Sequence, residues 1–182
     1  INASWGGLAY STALYNAIRA CGDEGILLVA AAGNQANDND AHPYYPAAFQ
    51  LPNVVSVAST DQGGRLSPFT NTGRYSVGLA APGSKIWSTF NRSDDDYRLV
   101  DGTSMAAPHV SGALALARAE FPGDDAVDLR TRLLSSVDPQ PALLGKVAAG
   151  GRLNAHRLLT GSSPIPVHDA FDQALRLEGY GG

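Results

Sequence analysis

Gly102-Thr103-Ser104-Met105-Ala106-Ala107-Pro108-His109-Val110-Ser111-Gly112 places a serine where a glycine-containing turn enters the longest apolar-periodic run of the chain. Over residues 104–121 apolar side chains recur every three or four positions, which predicts a helix. Pro108 falls close enough to its start to be tolerated, and Pro122-Gly123 ends it. A serine at a helix N-terminus lies beside unpaired backbone N–H groups and the positive end of the helix dipole, where negative charge developing on an oxygen is stabilised. The small residues Ala106, Ala107, Ser111 and Gly112 let such a helix lie close against a sheet. Taken alone, Thr103-Ser104 reads equally well as a helix cap.

The flanking sequence supplies that sheet. Ile26-Leu27-Leu28-Val29-Ala30-Ala31 is a continuous apolar run between Gly25 and Gly33, the pattern of a strand buried on both faces of a parallel sheet. Asn34 lies just past its end. In open α/β sheets ligands gather at the carboxyl ends of the strands, so this amide is placed to offer N–H donors to a reacting carbonyl without titrating. Its other reading is a turn residue after Gly33. Residues 54–58 predict a second core strand, followed by the turn Asp61-Gln62-Gly63-Gly64, and two shorter strands at 78–81 and 86–89 flank Pro82-Gly83. Residues 34–49 read as an irregular surface loop, and 91–96 as a polar, acidic one. Further helices are predicted at 10–21, with Ser11 and Thr12 as caps and Gly22 as the stop, at 126–137 behind Asp124 and Asp125, and briefly at 154–159. Strands interleaved with helices give an α/β layered fold. Ser162-Ser163-Pro164-Ile165-Pro166 reads as a linker and 167–177 as a weak helix, so the chain divides into a domain at 1–160 and a linker and tail at 161–182.

The bulk composition narrows the functions. The 182 residues are 44% hydrophobic and 16% charged, an ordinary balance for one globular core. A net charge of -4 without a basic stripe argues against nucleic acid and anionic membrane as partners. No apolar run approaches the ~20 residues of a membrane helix. Cys21 is the only cysteine, which rules out an internal disulfide and a thiolate metal cluster. Ile1 opens the chain and Met105 is its only methionine, so the sequence reads as a piece of a longer protein.

Together these segments resemble the subtilisin family of serine proteases. The nucleophile motif of that family is similar to Gly102-Thr103-Ser104-Met105-Ala106-Ala107-Pro108-His109, and its oxyanion segment is similar to Val29-Ala30-Ala31-Ala32-Gly33-Asn34. Ile1-Asn2-Ala3-Ser4-Trp5-Gly6-Gly7 resembles its substrate-binding strand, residues 73–83 the segment before the nucleophile loop, and Gly151-Arg152-Leu153-Asn154-Ala155 the closing segment. The resemblance covers residues 1–160. It implies a three-layer α/β/α fold with a mostly parallel sheet, incomplete in this chain.

For the site, the resemblance implies Ser104 as nucleophile and Asn34 as oxyanion donor in a serine endopeptidase. A peptide would dock along Ser4, Trp5 and Gly6, with Ala31, Ala32 and Gly33 forming one wall of a side-chain pocket and Thr103 beside the nucleophile. Small walls leave room for a large apolar side chain, hence a broad specificity, and the neutral Gln35 gives no support for a basic-residue preference.

The departures from the family pattern matter as much. The family order is Asp, His, Ser, and no segment like those that carry the first two occurs here. His109 lies five residues past Ser104, about 140° around a helix, and His42, His156 and His168 fall in a loop, a closing helix and the tail. None is assigned to a triad. The expected partners are a polypeptide substrate and an N-terminal half of the same protease carrying Asp and His, without which this chain should be nearly inert. No cofactor or metal is expected, calcium in the intact parent being left open. Asp94-Asp95-Asp96 reads as a solvated loop, since a calcium site needs about six to eight converging oxygens. The resemblance also implies secretion. The alternative reading is a non-catalytic pseudoprotease that binds peptides or serves as a scaffold.

Overall fold

Two strands whose every residue is buried, β2 (Leu28–Ala31) and β3 (Val54–Thr60), form the centre of the sheet in the computed structural model, which describes residues 1–161. The expected linker, the weak helix and His168 lie outside the described residues. β1 (Asn2–Ala3) pairs parallel with β2, β2 with β3, and β3 with β4 (Leu79–Pro82). A hairpin of β5 (Ile86–Thr89) and β6 (Tyr97–Val100) stands apart as a two-stranded antiparallel sheet. β7 (Asp138–Pro139) and β8 (Gly151–Arg152) complete the main sheet in the order β1-β2-β3-β4-β8-β7, with β8 parallel to β4 and only β7 antiparallel.

Successive side chains of a strand face opposite ways, and each face has its own cover. Val29, Ala31, Val55, Val57, Leu79 and Ala81 pack against α2 (Thr103–Glu120), α3 (Ala126–Ser135) and α4 (Ala155–Thr160). The residues that alternate with them, Leu28, Ala30 and Val54, pack with Ala3 against Ile18 of α1 (Thr12–Asp23) and against Ala47, Phe49 and Leu51. Ala32, Ala58, Val77 and Ala80 enclose Leu143 and Val147 in a third cluster. Each fully buried Leu or Val contributes about 1.5–3 kcal/mol. The result is the three-layer α/β/α arrangement with a mostly parallel sheet. Fully buried Ala106, Ala107 and Ala117 let α2 approach the sheet closely and fix where its N-terminus stands.

Several boundaries differ from the sequence expectation. α1 runs through Gly22, because the missing Cβ there makes room for the Asn53 side chain, and the helix stops instead at Glu24 ahead of Gly25 at φ +71. The two strands expected at 78–81 and 86–89 are present but belong to different sheets, β4 joining the main sheet and β5 pairing with β6. Residues 34–39 are irregular as expected, and this loop is laid against residues 69–72. Ala36 N–H donates to the Phe69 carbonyl at 2.8 Å, Asn39 N–H to Thr72 at 2.7 Å and Thr72 N–H to Asn37 at 2.8 Å.

Candidate active site

Ser104 is the second residue of α2, and the helix enters it from Gly102, which has φ +153 and offers no side-chain cap. The first N–H of the helix, that of Thr103, is therefore left for an acceptor from elsewhere in the fold. The Ser104 hydroxyl donates to the Ser4 carbonyl at 3.0 Å, and the Ser4 hydroxyl donates back to the Ser104 carbonyl at 2.7 Å. This reciprocal pair joins the helix N-terminus to the segment that follows β1, across 100 residues of sequence.

Asn34 comes to the same place from the other side. Its Oδ1 accepts from Thr103 N–H at 2.9 Å and from the Thr103 hydroxyl at 3.0 Å. The Thr103 Oγ1 in turn accepts from Gly33 N–H at 3.1 Å, so one buried hydroxyl uses its proton on the amide and a lone pair on the strand end. With Oδ1 committed, the end of the exposed Asn34 amide left to face a ligand is its Nδ2 donor. Thr103, grouped with the substrate-binding residues in the sequence, stands in the structure as the clamp between Ser104 and Asn34.

Ser4, Trp5 and Gly6 continue past Ala3, the last paired residue of β1, and Trp5 is exposed. Gly7 is bridged to Tyr45 by two main-chain hydrogen bonds of 2.8 and 2.7 Å, which anchors the far end of this segment. The Tyr44 ring lies against Gly6 so closely that a Cβ there has no room. Ala31 and Ala32 project their methyls into two different core clusters, so what this strand end offers a ligand is main chain.

Asn71, which the sequence reading passed over, is fully buried and bonded to the Asn34 loop on four sides. Its only sequence signal was a polar residue in turn-like surroundings. The described histidines stand elsewhere. His109 is exposed on α2 with Nδ1 2.8 Å from the Met105 carbonyl. The His42 carbonyl accepts from Asn37, and His156 is exposed on α4. Among the described residues no three His, Cys, Asp or Glu side chains converge as metal ligands, and no helix is long and apolar enough to cross a membrane.

The sequence matches the profile of the subtilase family over residues 1–181. It is 46% identical over 120 residues to subtilisin-like protease 2 of Plasmodium falciparum, covering 64% of this chain and 9% of that protein. It is 38% identical over 157 residues to thermitase of Thermoactinomyces vulgaris, covering 86% of this chain and 52% of thermitase. Among solved structures, a protease from Pseudoalteromonas arctica PAMC 21717 superimposes with a TM-score of 0.78 at 31% identity, over 90% of this chain and 51% of that one. The prenylagaramide maturation protease PagA does so with a TM-score of 0.74 at 28% identity, over 88% and 60%. The chain thus spans about half of thermitase and less than a tenth of the Plasmodium protein.

Proposed function

Because this chain belongs to the subtilase family, we propose that it carries the nucleophile and oxyanion donor of a serine endopeptidase. The observation that carries this reading is the convergence of Ser104 and Asn34 through Thr103 at the start of α2. A cap serine has no need of an amide whose oxygen is held twice so that its nitrogen is presented. A peptide docks as an added strand along Ser4, Trp5 and Gly6. Ser104 Oγ, already directed at the Ser4 main chain, attacks the scissile carbonyl. The oxyanion is held by Asn34 Nδ2 and the Ser104 N–H at the helix dipole. An acyl-enzyme on Ser104 forms as the amine leaves, and water then releases it.

The Ser104 proton goes to a histidine oriented by an aspartate, both in a part of the protease N-terminal to this chain. Two findings support that assignment: the hydroxyl of Ser104 bonds to main chain rather than to any described histidine, and the chain covers about half of thermitase. Release outside the cell is proposed from relatives named as extracellular proteases of Bacillus subtilis and Natrialba magadii.

The test is labelling of the full-length protease with a fluorophosphonate. The expected result is covalent adduct at Ser104, absent in Ser104→Ala, together with hydrolysis of unfolded protein substrate. Full-length protein that folds, binds peptide and takes no label would establish the non-catalytic alternative.

A further inference from the structure

The loop that presents Asn34 is held from behind by one buried side chain. Asn71 has no exposed surface, and every hydrogen-bonding position of its amide is used. Its Oδ1 accepts from Gln35 N–H at 2.8 Å and Asn37 N–H at 3.2 Å. Its Nδ2 donates to Gln35 Oε1 at 3.1 Å and to Asn39 Oδ1 at 3.0 Å. Its own N–H donates to the Gly33 carbonyl at 2.9 Å. Gln35 Oε1 is then shared with the Asn34 N–H at 3.1 Å, so the main chain on both sides of Asn34, and Asn34 itself, hang on this amide.

The hub is itself anchored to the sheet. The Thr70 hydroxyl donates to the Asn71 carbonyl at 3.1 Å and accepts from Ser59 N–H of β3 at 2.8 Å. Asn39 Nδ2, on the far side, donates to the Ala32 carbonyl at the end of β2 at 2.8 Å. The loop conformation needs such support. Gly33 has φ +112 with the Asn71 amide packed where a Cβ would stand, and Ala36 sits in the left-handed region at φ +53.

Resting on the assignment of Asn34 as oxyanion donor, we propose that Asn71 is a positioning residue for catalysis, setting where Asn34 Nδ2 points through its bonds to Gly33, Gln35, Asn37 and Asn39. Thr103 fixes the oxygen end of the Asn34 side chain, and Asn71 fixes the backbone from which that side chain springs. Neither control touches the substrate.

The test is a double-mutant cycle in the full-length protease, reading kcat and KM with a peptide substrate and folded fraction by circular dichroism. Asn71→Ala is expected to lower kcat by about ten- to a hundredfold, the cost of misplacing a reacting group by an ångström or less, with KM little changed. In an Asn34→Ala background the same substitution should do almost nothing, because the donor it positions is gone. An equal loss in both backgrounds would make Asn71 a structural residue and overturn the proposal. Normal activity of Asn34→Ala would remove the oxyanion reading beneath it. If Asn71→Ala does not fold, Gln35→Ala at an exposed position carries the cycle, with a smaller loss of kcat that must also vanish when Asn34 is alanine.

Discussion

Gly83 controls the turn into Ser104 from outside it. Its N–H donates to the Thr60 carbonyl at 3.0 Å and its carbonyl accepts from Gly102 N–H at 2.8 Å, so it joins the end of the sheet to the residue that opens the turn. A Cβ on Gly83 would stand 2.6 Å from the Gly102 carbonyl oxygen, where ordinary contact begins at 3.4 Å. Gly102 must then retreat by about 0.8 Å, and no side-chain rotation relieves a clash with backbone. The same Cβ crowds Ser59, whose hydroxyl is already engaged with Ser67 at 2.7 Å. Gly102 is followed directly by Thr103, which holds Asn34, and by Ser104. Misplacement of reacting groups by about 1 Å costs on the order of a hundredfold in rate. In the full-length protease Gly83→Ala is therefore expected to lower kcat by about a hundredfold, with KM changing less because Trp5 and Gly6 do not rest on Gly83 and Ser4 meets the moving turn only through its two hydrogen bonds to Ser104. Overpacking should cost about 1–3 kcal/mol in urea denaturation. Gly123→Ala, where a Cβ meets open space, is the control and should leave both measurements unchanged. A normal kcat for Gly83→Ala would refute the link between this contact and the site.

Leu133, fully buried between α3 and the sheet, should cost about 2–5 kcal/mol when cut to alanine, read as a lower urea midpoint with unchanged slope. Asp125 accepts from Asp128 N–H at 2.8 Å while the Asp128 carboxylate accepts from Asp125 N–H at 3.2 Å, so Asp125→Ala should remove about 0.5–2 kcal/mol by taking away the acceptor for Asp128 N–H, the main-chain half of the cap remaining. The Arg65 main-chain N–H, ahead of its guanidinium, holds the Asp61 carboxyl below its usual range against an opposing desolvation effect. A carboxyl depressed by folding favours the folded state above its unfolded pKa and loses that contribution as pH falls through its folded value. In an NMR titration Asp61 of Arg65→Ala should stay below the usual range, whereas a return to the ordinary value would assign the effect to the guanidinium.

What the sequence made legible is what unbroken apolar pattern encodes. β2, β3 and α2 are long enough for their periodicity to show, and Asn34 and Ser104 stand at the ends of those elements. β7 and β8 are two residues each, too short for any period, and exist because Gly151 and Arg152 find β4 and Asp138 alongside. β6 escaped because its exposed Tyr97 and Leu99 belong to a hairpin that packs on no core cluster. The clamp of Thr103 on Asn34 joins residues 69 apart, and that of Asn71 on Gln35 residues 36 apart. Hydrogen bonds over such separations leave no mark on local pattern. Gly33 reads from sequence only as a strand boundary and one wall of a side-chain pocket, and the group that approaches it, the Asn71 amide, leaves no trace there.

The chemistry of that approaching group follows from what the site is proposed to do. The side chains that hold the loop are neutral amides, namely Gln35, Asn39 and Asn71, and the buried ones, Asn39 and Asn71, carry no charge, the loop's carboxylates Asp38 and Asp40 being exposed. A carboxylate at position 71 would accept from Gln35 and Asn37 N–H as well as the amide does. It would leave Asn39 Oδ1, a buried acceptor, without its donor at a cost of about 1–3 kcal/mol, while the exposed Gln35 Oε1 would keep only the Asn34 N–H. It would also set a fixed negative charge against the backbone of Gly33, next to the residue proposed to stabilise a developing oxyanion, in a medium that screens it poorly. An amide satisfies both loop N–H groups and both loop oxygens and leaves the local potential free to favour the anion. The same constraint accounts for the division of labour at Asn34. A side chain that must donate on one end and be gripped on the other has to carry both a donor and an acceptor, and among uncharged side chains of this length that is the asparagine amide.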